Sequence, residues 1–266
     1  MSLHAPHPDS RFIELDGVRF EYRHHAASDP SAPTLVFLHQ GLGSVGAWRD
    51  VPQRLAARTG CSAFWYSRRG YGWSDPVQGP RQPDYMLREA SQTLPRLLRA
   101  FDLHDIILIG HSDGATIALA YLGHGFPARA VVAVAPHVRD ERVTHETIAL
   151  QRAQWGLAPL RERLRRYHRD ADDMFLSWTD IWLSEEFRGW SIESLLPAIR
   201  VPALGLQGYQ DETGSMLHID AMQTLVSGPV VLRKFDDCRH DPFREYPEKT
   251  LQACVDFLRR HAQISF

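Results

Sequence analysis

The sequence predicts an α/β protein built on a mostly parallel, twisted β-sheet with helices on both faces. Three observations carry that prediction. Short, continuously apolar runs recur along the chain, each followed by a helix-like stretch, as expected of strands covered on both faces. Near the start, Asp16-Gly17 joins two short strand-like segments, so an antiparallel N-terminal hairpin borders the sheet. Residues 138–200 hold no strand-like run yet carry four of the seven tryptophans, which predicts a helical insertion.

The elements follow in order. Arg11 to Glu14 and Val18 to Arg23 form the hairpin. The buried strands are 34–38 (TLVFL), 61–66 (CSAFWY), 105–110 (DIILIG), 130–135 (AVVAVA), 202–207 (PALGLQ) and 230–235 (VVLRKF). Helical patterns cover Ala47 to Arg58, Tyr85 to Ala100, Gly114 to Gly123, Met216 to Val226 and Pro247 to His261. Pro95 lies inside the second and is expected to kink or split it, because proline lacks the N–H that the helix ladder uses. Alternation of this kind builds parallel sheets. The domain organisation is therefore one core, 1–137 with 201–266, interrupted by an insertion at 138–200. Met174, Trp178 and Trp182 fall on one stripe of a helix in that insertion. Its ends straddle the sheet edge where open α/β sheets bind ligands, so it reads as a lid; an ordinary helical layer with a tryptophan-rich core contact is the alternative.

Composition narrows the function. The chain has 266 residues, ample for one large domain, and a formal net charge of -2, which points to neither nucleic acid nor a membrane surface. The run Arg161-Glu162-Arg163-Leu164-Arg165-Arg166 reads as a solvated helix face. Three cysteines, Cys61, Cys238 and Cys254, make no CxxC pair, and the fourteen histidines show no metal-ligand spacing. The opening MSLHAPHPDS is polar, without the pattern of a signal peptide or anchor. A reducing cytoplasm, no metal or cofactor, and a small organic molecule as partner are the resulting expectations; oligomeric state is left open.

The residues suited to chemistry lie at strand ends. Gly110-His111-Ser112-Asp113-Gly114 is a G-x-S-x-G turn between a strand and a helix. There a sharp turn lifts the serine hydroxyl above the sheet, and the helix N-terminus favours negative charge beside it. A serine needs a base, and the base an orienting acid. Asp211 follows strand 202–207 and His240 follows strand 230–235, so Ser112, Asp211 and His240 occur in the chain order this arrangement takes on α/β sheets. Asp140 and Glu212 are alternative acids. Asp236, Asp237 and Asp241 crowd His240 in sequence but are expected to point elsewhere. His111 should point away from Ser112. The loop after strand 34–38, LHQGLGS, suits an oxyanion hole, with Gly41 and Asp113 as backbone N–H donors. Gln40, His137, Trp178 and Trp182 are candidate pocket residues.

These segments together resemble the α/β-hydrolase family over nearly the whole chain. SRRGYGWSD (67–75) is similar to the family's D-x-R-G-x-G-x-S turn, with Ser67 where Asp is usual, and Gln40 stands where many members have glycine. The resemblance implies a hydrolase acting on an ester, lactone or thioester through an acyl-enzyme on Ser112. Cleavage of a carbon–carbon bond, acyl transfer and a non-catalytic small-molecule receptor are its alternatives on this fold. A serine nucleophile separates the chain from dehalogenases and epoxide hydrolases of the same fold, and SRRG differs from the D-Q-R-G of proline iminopeptidases. The G-x-S-D-G elbow also resembles that of valacyclovir-hydrolase-type enzymes, which implies an ammonium-binding role for Asp113; stabilisation of a helix N-terminus accounts for an acid there without any ligand.

Overall fold

The computed structural model describes residues 5–157 and 159–262. The first four residues of the polar N-terminal stretch lie outside them. Eight strands form one sheet: β1 (Arg11–Leu15), β2 (Val18–His25), β3 (Thr34–Leu38), β4 (Ser62–Tyr66), β5 (Ile106–His111), β6 (Ala130–Val134), β7 (Ala203–Gly208) and β8 (Val230–Phe235). Their spatial order is β1-β2-β4-β3-β5-β6-β7-β8. β1 and β2 pair antiparallel in register Leu15 opposite Val18, and β2 meets β4 antiparallel; all other pairs are parallel. The hairpin turns on Asp16 and Gly17, both at positive φ (53° and 74°). That is the geometry a two-residue turn needs to match strand twist.

Side-chain alternation along the strands divides the core into two layers. Leu35, Phe37, Ile107, Ile109, Val132 and Val134 pack on one face with α1 (Val51–Thr59) and α10 (Pro247–His261), through Leu55, Leu251 and Leu258. Val36, Leu38, Leu108, Val131 and Ala133 pack on the other with α3 (Leu94–Ala100), α4 (Asp113–Gly123) and α8 (Leu217–Leu225), through Leu97, Leu119 and Met222. Every residue of β3, β5, β6 and β7 is buried, which is why these strands read as unbroken apolar runs rather than alternating ones.

One helical prediction needs revision, and the split expected at Pro95 is found just ahead of it. The stretch expected to run as one helix from Ala47 begins as a 3₁₀ turn, Val45–Trp48, breaks at Arg49 (φ 53°), and restarts at Val51. Pro52 fits only a first helical turn, so the helix starts just ahead of it. The segment 85–100 is three pieces: α2 (Tyr85–Arg88), a π-helical turn over Glu89–Thr93, and α3 with Pro95 in its first turn. The π turn lets the chain reach Pro95 where its missing N–H is not needed.

Residues 138–200 leave β6 and return at β7. They contain α5 (Arg142–Ala153), α6 (Pro159–Leu164), α7 (Ala171–Trp182) and two 3₁₀ turns, Glu185–Phe187 and Glu193–Ala198. Among the described residues of this segment the β-pairing is one isolated bridge, Arg139 to Ser191. The last short helix of the core, α9 (Pro242–Glu245), directly follows His240.

Candidate active site

The elbow is built by two glycines and one strained serine. A Cβ at Gly110 would run into the backbone of Ala115, and one at Gly114 into the carbonyl of Leu38. Only glycine lets α4 start this close to β3 and β5. Ser112 itself sits at φ 54°, ψ -122°, a region that bears a cost of about 1–3 kcal/mol for a residue with a Cβ. Its N–H is tied to the carbonyl of Val134 at 2.8 Å, and its carbonyl accepts from Ala115 at 2.8 Å, so neighbouring backbone holds the strained conformation in place.

The loops after β7 and β8 bring Asp211 and His240 to the same sheet edge. His240 Nε2 lies 3.0 Å from Ser112 Oγ, and His240 Nδ1 lies 2.8 and 2.9 Å from the two Asp211 oxygens. The carboxylate can only accept, so Nδ1 carries the proton and Nε2 is left to accept from the serine. Asp211 is fixed by N–H donors from Thr213 (2.8 Å) and Gly214 (3.1 Å) and by Gln207 Nε2 (3.2 Å). Burial opposes its charge, yet His240 and the Thr213 N–H outweigh that and bring its pKa down to about 2. Burial likewise opposes a charge on His240, but Asp211, with Glu212 and Asp241 behind it, raises its pKa above the ordinary value. His111 donates from Nε2 to the His240 carbonyl at 2.9 Å; it anchors the histidine's loop and leaves the serine alone.

The other acids considered from sequence are engaged elsewhere. Asp140 bonds His145 and the N–H of Gly189. Glu212 pairs with Arg239 at 2.8 Å, Asp237 accepts from Gln210 at 3.3 Å, and Asp241 caps α9 through the Arg244 N–H.

A cavity of about 400 Å³ opens over Ser112 and His240. Gln40, Gly41 and Trp178 border it, with Leu42, Trp48, Leu160, Leu164, Tyr167, Thr213 and Phe243. Two of the residues expected to line it do not. His137 is sealed behind His240, its ring packed among His240, His218 and Trp182, and burial first, then His218, holds its pKa well down. Trp182, 1% exposed, packs on Phe187 and Trp190 and donates from Nε1 to Tyr85 Oη at 3.0 Å. The two tryptophans are one helical turn apart, but the turn carries the second one past the cavity into the core.

Asp113 fits the reading that needs no ligand, an acid in the first turn of α4. Its side chain is fully buried and does not reach the cavity. Oδ2 accepts from Tyr85 Oη (2.5 Å) and Trp178 Nε1 (3.1 Å), and the Arg68 guanidinium lies 3.6 Å away. A substrate ammonium group has no access to it, so the ammonium-binding role implied by the elbow resemblance does not hold in this fold. Burial opposes the charge on Arg68, but Tyr71, Asp113, Glu89 and Tyr85 around it raise its pKa. Arg68 also donates to the carbonyls of His39 and, at 3.2 Å, Gln40, while the Trp178 indole lies so close on Gly41 that no side chain could stand there. One buried cluster thus grips both the elbow and the loop 39–44.

Two further anchors were not read from sequence. His168, whose pKa burial lowers to about 4, accepts from Gly72 N–H at 2.9 Å and donates to the Leu42 carbonyl at 3.2 Å, tying the insertion to both loops. At the turn 67–75, where Ser67 replaces an acid, Glu21 reaches in from β2: its carboxylate accepts from Ser67 Oγ (2.7 Å) and Trp73 N–H (3.0 Å). The carboxylate comes from a neighbouring strand instead of the turn.

An eight-stranded, mostly parallel sheet with a serine elbow facing a histidine and an acid from later strand ends defines the hydrolase class of this architecture. The chain belongs to the alpha/beta hydrolase fold family, whose sequence model matches residues 33–188, more than half of its length. The 2-succinyl-6-hydroxy-2,4-cyclohexadiene-1-carboxylate synthase of Salmonella paratyphi A is 27% identical over 159 residues, 58% of this chain and 56% of that protein. The sn-1-specific diacylglycerol lipase of Mus musculus is 32% identical over 91 residues, 34% of this chain and 28% of that protein. The match spans about half the length of the first relative and less of the second. Among solved structures, a hydrolase from Pseudomonas aeruginosa superposes with a TM-score of 0.74 at 19% identity, covering 94% of this chain and 98% of that one. An enol-lactonase from Burkholderia xenovorans superposes with a TM-score of 0.73 at 16% identity, covering 94% and 100%. Identities this low speak for the fold. Among the described residues no helix is long and apolar enough to cross a membrane.

Proposed function

We propose that the protein is a serine hydrolase that cleaves a small or medium carboxylic ester, lactone or thioester through an acyl-enzyme. The observation that carries this reading is the continuous hydrogen-bonded row from Ser112 Oγ through His240 to Asp211, opening onto a 400 Å³ cavity. Ser112 Oγ attacks the acyl carbon as its proton passes to His240 Nε2. Asp211 holds the ring in that tautomer and stabilises the cation that forms. His240 then protonates the leaving group, and water, activated by the same nitrogen, releases the acid. The developing oxyanion is received by the N–H of Gly41 and of Asp113; the latter stands in the first turn of α4, where N–H groups have no partner within the helix. No cofactor enters the scheme.

The insertion 138–200 acts as a lid, since Leu160, Leu164, Tyr167 and Trp178 contribute its apolar wall to the cavity. The three cysteines are buried and unpaired, which suits a reducing cytoplasm. Cleavage of a carbon–carbon bond is the alternative reading on this fold, and it uses the same three residues. The deciding experiment is turnover of generic aryl esters by the native chain and by Ser112→Ala. The hydrolase reading expects a loss on the order of 10³-fold or more with unchanged folding. A native chain that binds such esters but never turns them over overturns the ester-hydrolase reading.

A further inference from the structure

In the run 161–166 Glu162, Arg163 and Arg166 are exposed, as a solvated helix face requires, but its arginines differ in their partners. Arg161 and Arg165 both engage Asp172, at 2.7 and 3.6 Å. Arg163, in α6, instead borders the cavity that holds Ser112. Two more arginines border it from other directions: Arg49, in the turn after the loop 39–44, and Arg244, in α9 just beyond His240. Three separate elements therefore each bring one solvent-exposed arginine to the border of the same cavity.

Two acids, Asp50 and Asp241, border the same cavity, but neither forms an ion pair with these three arginines. The cavity's other cation, Arg54, is already paired with Glu248 and stands 3.9 Å from Asp50. Asp241 is turned to the Arg244 N–H, as the cap of its helix, at 3.2 Å. Among the described residues no carboxylate lies within ion-pair distance of Arg49, Arg163 or Arg244. Burial, then Arg244 and Arg49, disfavour the charge on Arg163. Arg49 keeps its place with backbone in the left-handed region (φ 53°), which side chains rarely adopt. Like charges gathered at a concave, partly apolar site lower their mutual repulsion by taking up an anion, and guanidinium forks match a carboxylate or phosphate.

We propose that Arg49, Arg163 and Arg244 form an anion-recognition site at the mouth of the Ser112 cavity, so that the preferred substrate carries a carboxylate or phosphate group away from its scissile carbonyl. The inference rests on the hydrolase reading for what happens at Ser112, and on the arginines alone for what is bound.

The test pairs two esters of equal acyl length, mono-4-nitrophenyl glutarate and 4-nitrophenyl pentanoate, near neutral pH. The native chain should favour the glutarate by about tenfold in kcat/KM, with the preference shrinking as salt rises. In the double variant Arg163→Gln/Arg244→Gln the ratio should fall towards one. Glutarate and inorganic phosphate, added as competitors, distinguish the two anion sources: the better competitor names the group. Binding is read separately in Ser112→Ala by quenching of Trp48 and Trp178, which border the cavity. Tighter binding of the glutarate ester there upholds the anion site even if no ester is turned over. Equal binding of both esters with no competition by either anion overturns it, even when both are hydrolysed. A preference that survives in the double variant also overturns it.

Discussion

Ser112 and Asp113 are neighbours in the chain and belong to two different hydrogen-bonded clusters. On the cavity side, Ser112, His240 and Asp211 form a row in which the histidine is partly exposed, with 19% of its side chain open to solvent. On the far side, Asp113 is closed in by Tyr85, Trp178 and Arg68. Both clusters contain one buried carboxylate. In the first it faces an imidazole, which can take up and release a proton at Nε2, so charge there can move. In the second it faces an arginine that stays charged at any working pH, so charge there is fixed. The first arrangement is suited to proton transfer; the second holds the backbone that would surround an oxyanion. The contrast teaches that an acid beside a nucleophile is assigned by its partners, not by its position in a motif.

The contrast is sharpened by variants that separate activity from stability. Asp211→Asn should lower kcat by about 10⁴-fold while leaving the fold intact, because the amide favours the wrong histidine tautomer. The pH profile adds an independent reading. His240 must be neutral to act as base, and although burial pulls its pKa down, Asp211 raises it above the ordinary value. Activity of the native chain should therefore rise with pH through that raised pKa, and in Asp211→Asn this acidic limb should move to lower pH. If Asp140→Asn is instead the damaging change, the orienting acid is elsewhere.

Asp113→Asn should do the reverse. It strands the buried Arg68 charge, and losing one member of such a pair costs about 3 kcal/mol of stability, measurable by denaturant unfolding. A variant as stable as the native chain would show that the far cluster is not a fixed ion pair.

Smaller effects should separate the two tryptophans. Trp178 borders the cavity and Trp182 does not, so Trp178→Ala should weaken transition-state binding of a bulky aryl ester by about 1–3 kcal/mol more than that of an acetyl ester, on top of a loss common to both esters, because the same indole holds Asp113 and covers Gly41. Trp182→Ala should lower stability and affect both esters alike. Equal kinetic losses from both variants on both esters would place Trp178 in the core as well.

Much of this was legible in the sequence because it depends on local pattern. For β3 to β7 the apolar runs gave strand bounds within a residue, since a strand buried on both faces has few polar positions to blur its ends; β8, also expected to be buried, is an edge strand without a buried residue and with Arg233 and Lys234 exposed. Ser112, Asp211 and His240 stood out because each follows a strand directly. What stayed hidden depends on contacts between distant segments. Asp113 meets Trp178 across 65 residues of chain, and no periodicity reports that. Arg163 is indistinguishable in sequence from Arg161 and Arg165, and separates from them only because Asp172 engages the other two. Trp182 shares a helix stripe with Trp178, but the stripe crosses the boundary between cavity wall and core. The contribution of Glu21 to the turn 67–75 has the same cause: it joins segments about 50 residues apart in the chain.

The central claim is that Ser112 is the activated nucleophile, and covalent labelling tests it most directly. The native chain is treated with a fluorophosphonate near neutral pH, and the modified peptide is mapped by mass spectrometry alongside Ser112→Ala. The account predicts a single adduct on Ser112, loss of activity in step with labelling, and no adduct in the variant. Labelling of a different serine with Ser112 unmodified, or equal labelling of Ser112→Ala, would contradict it.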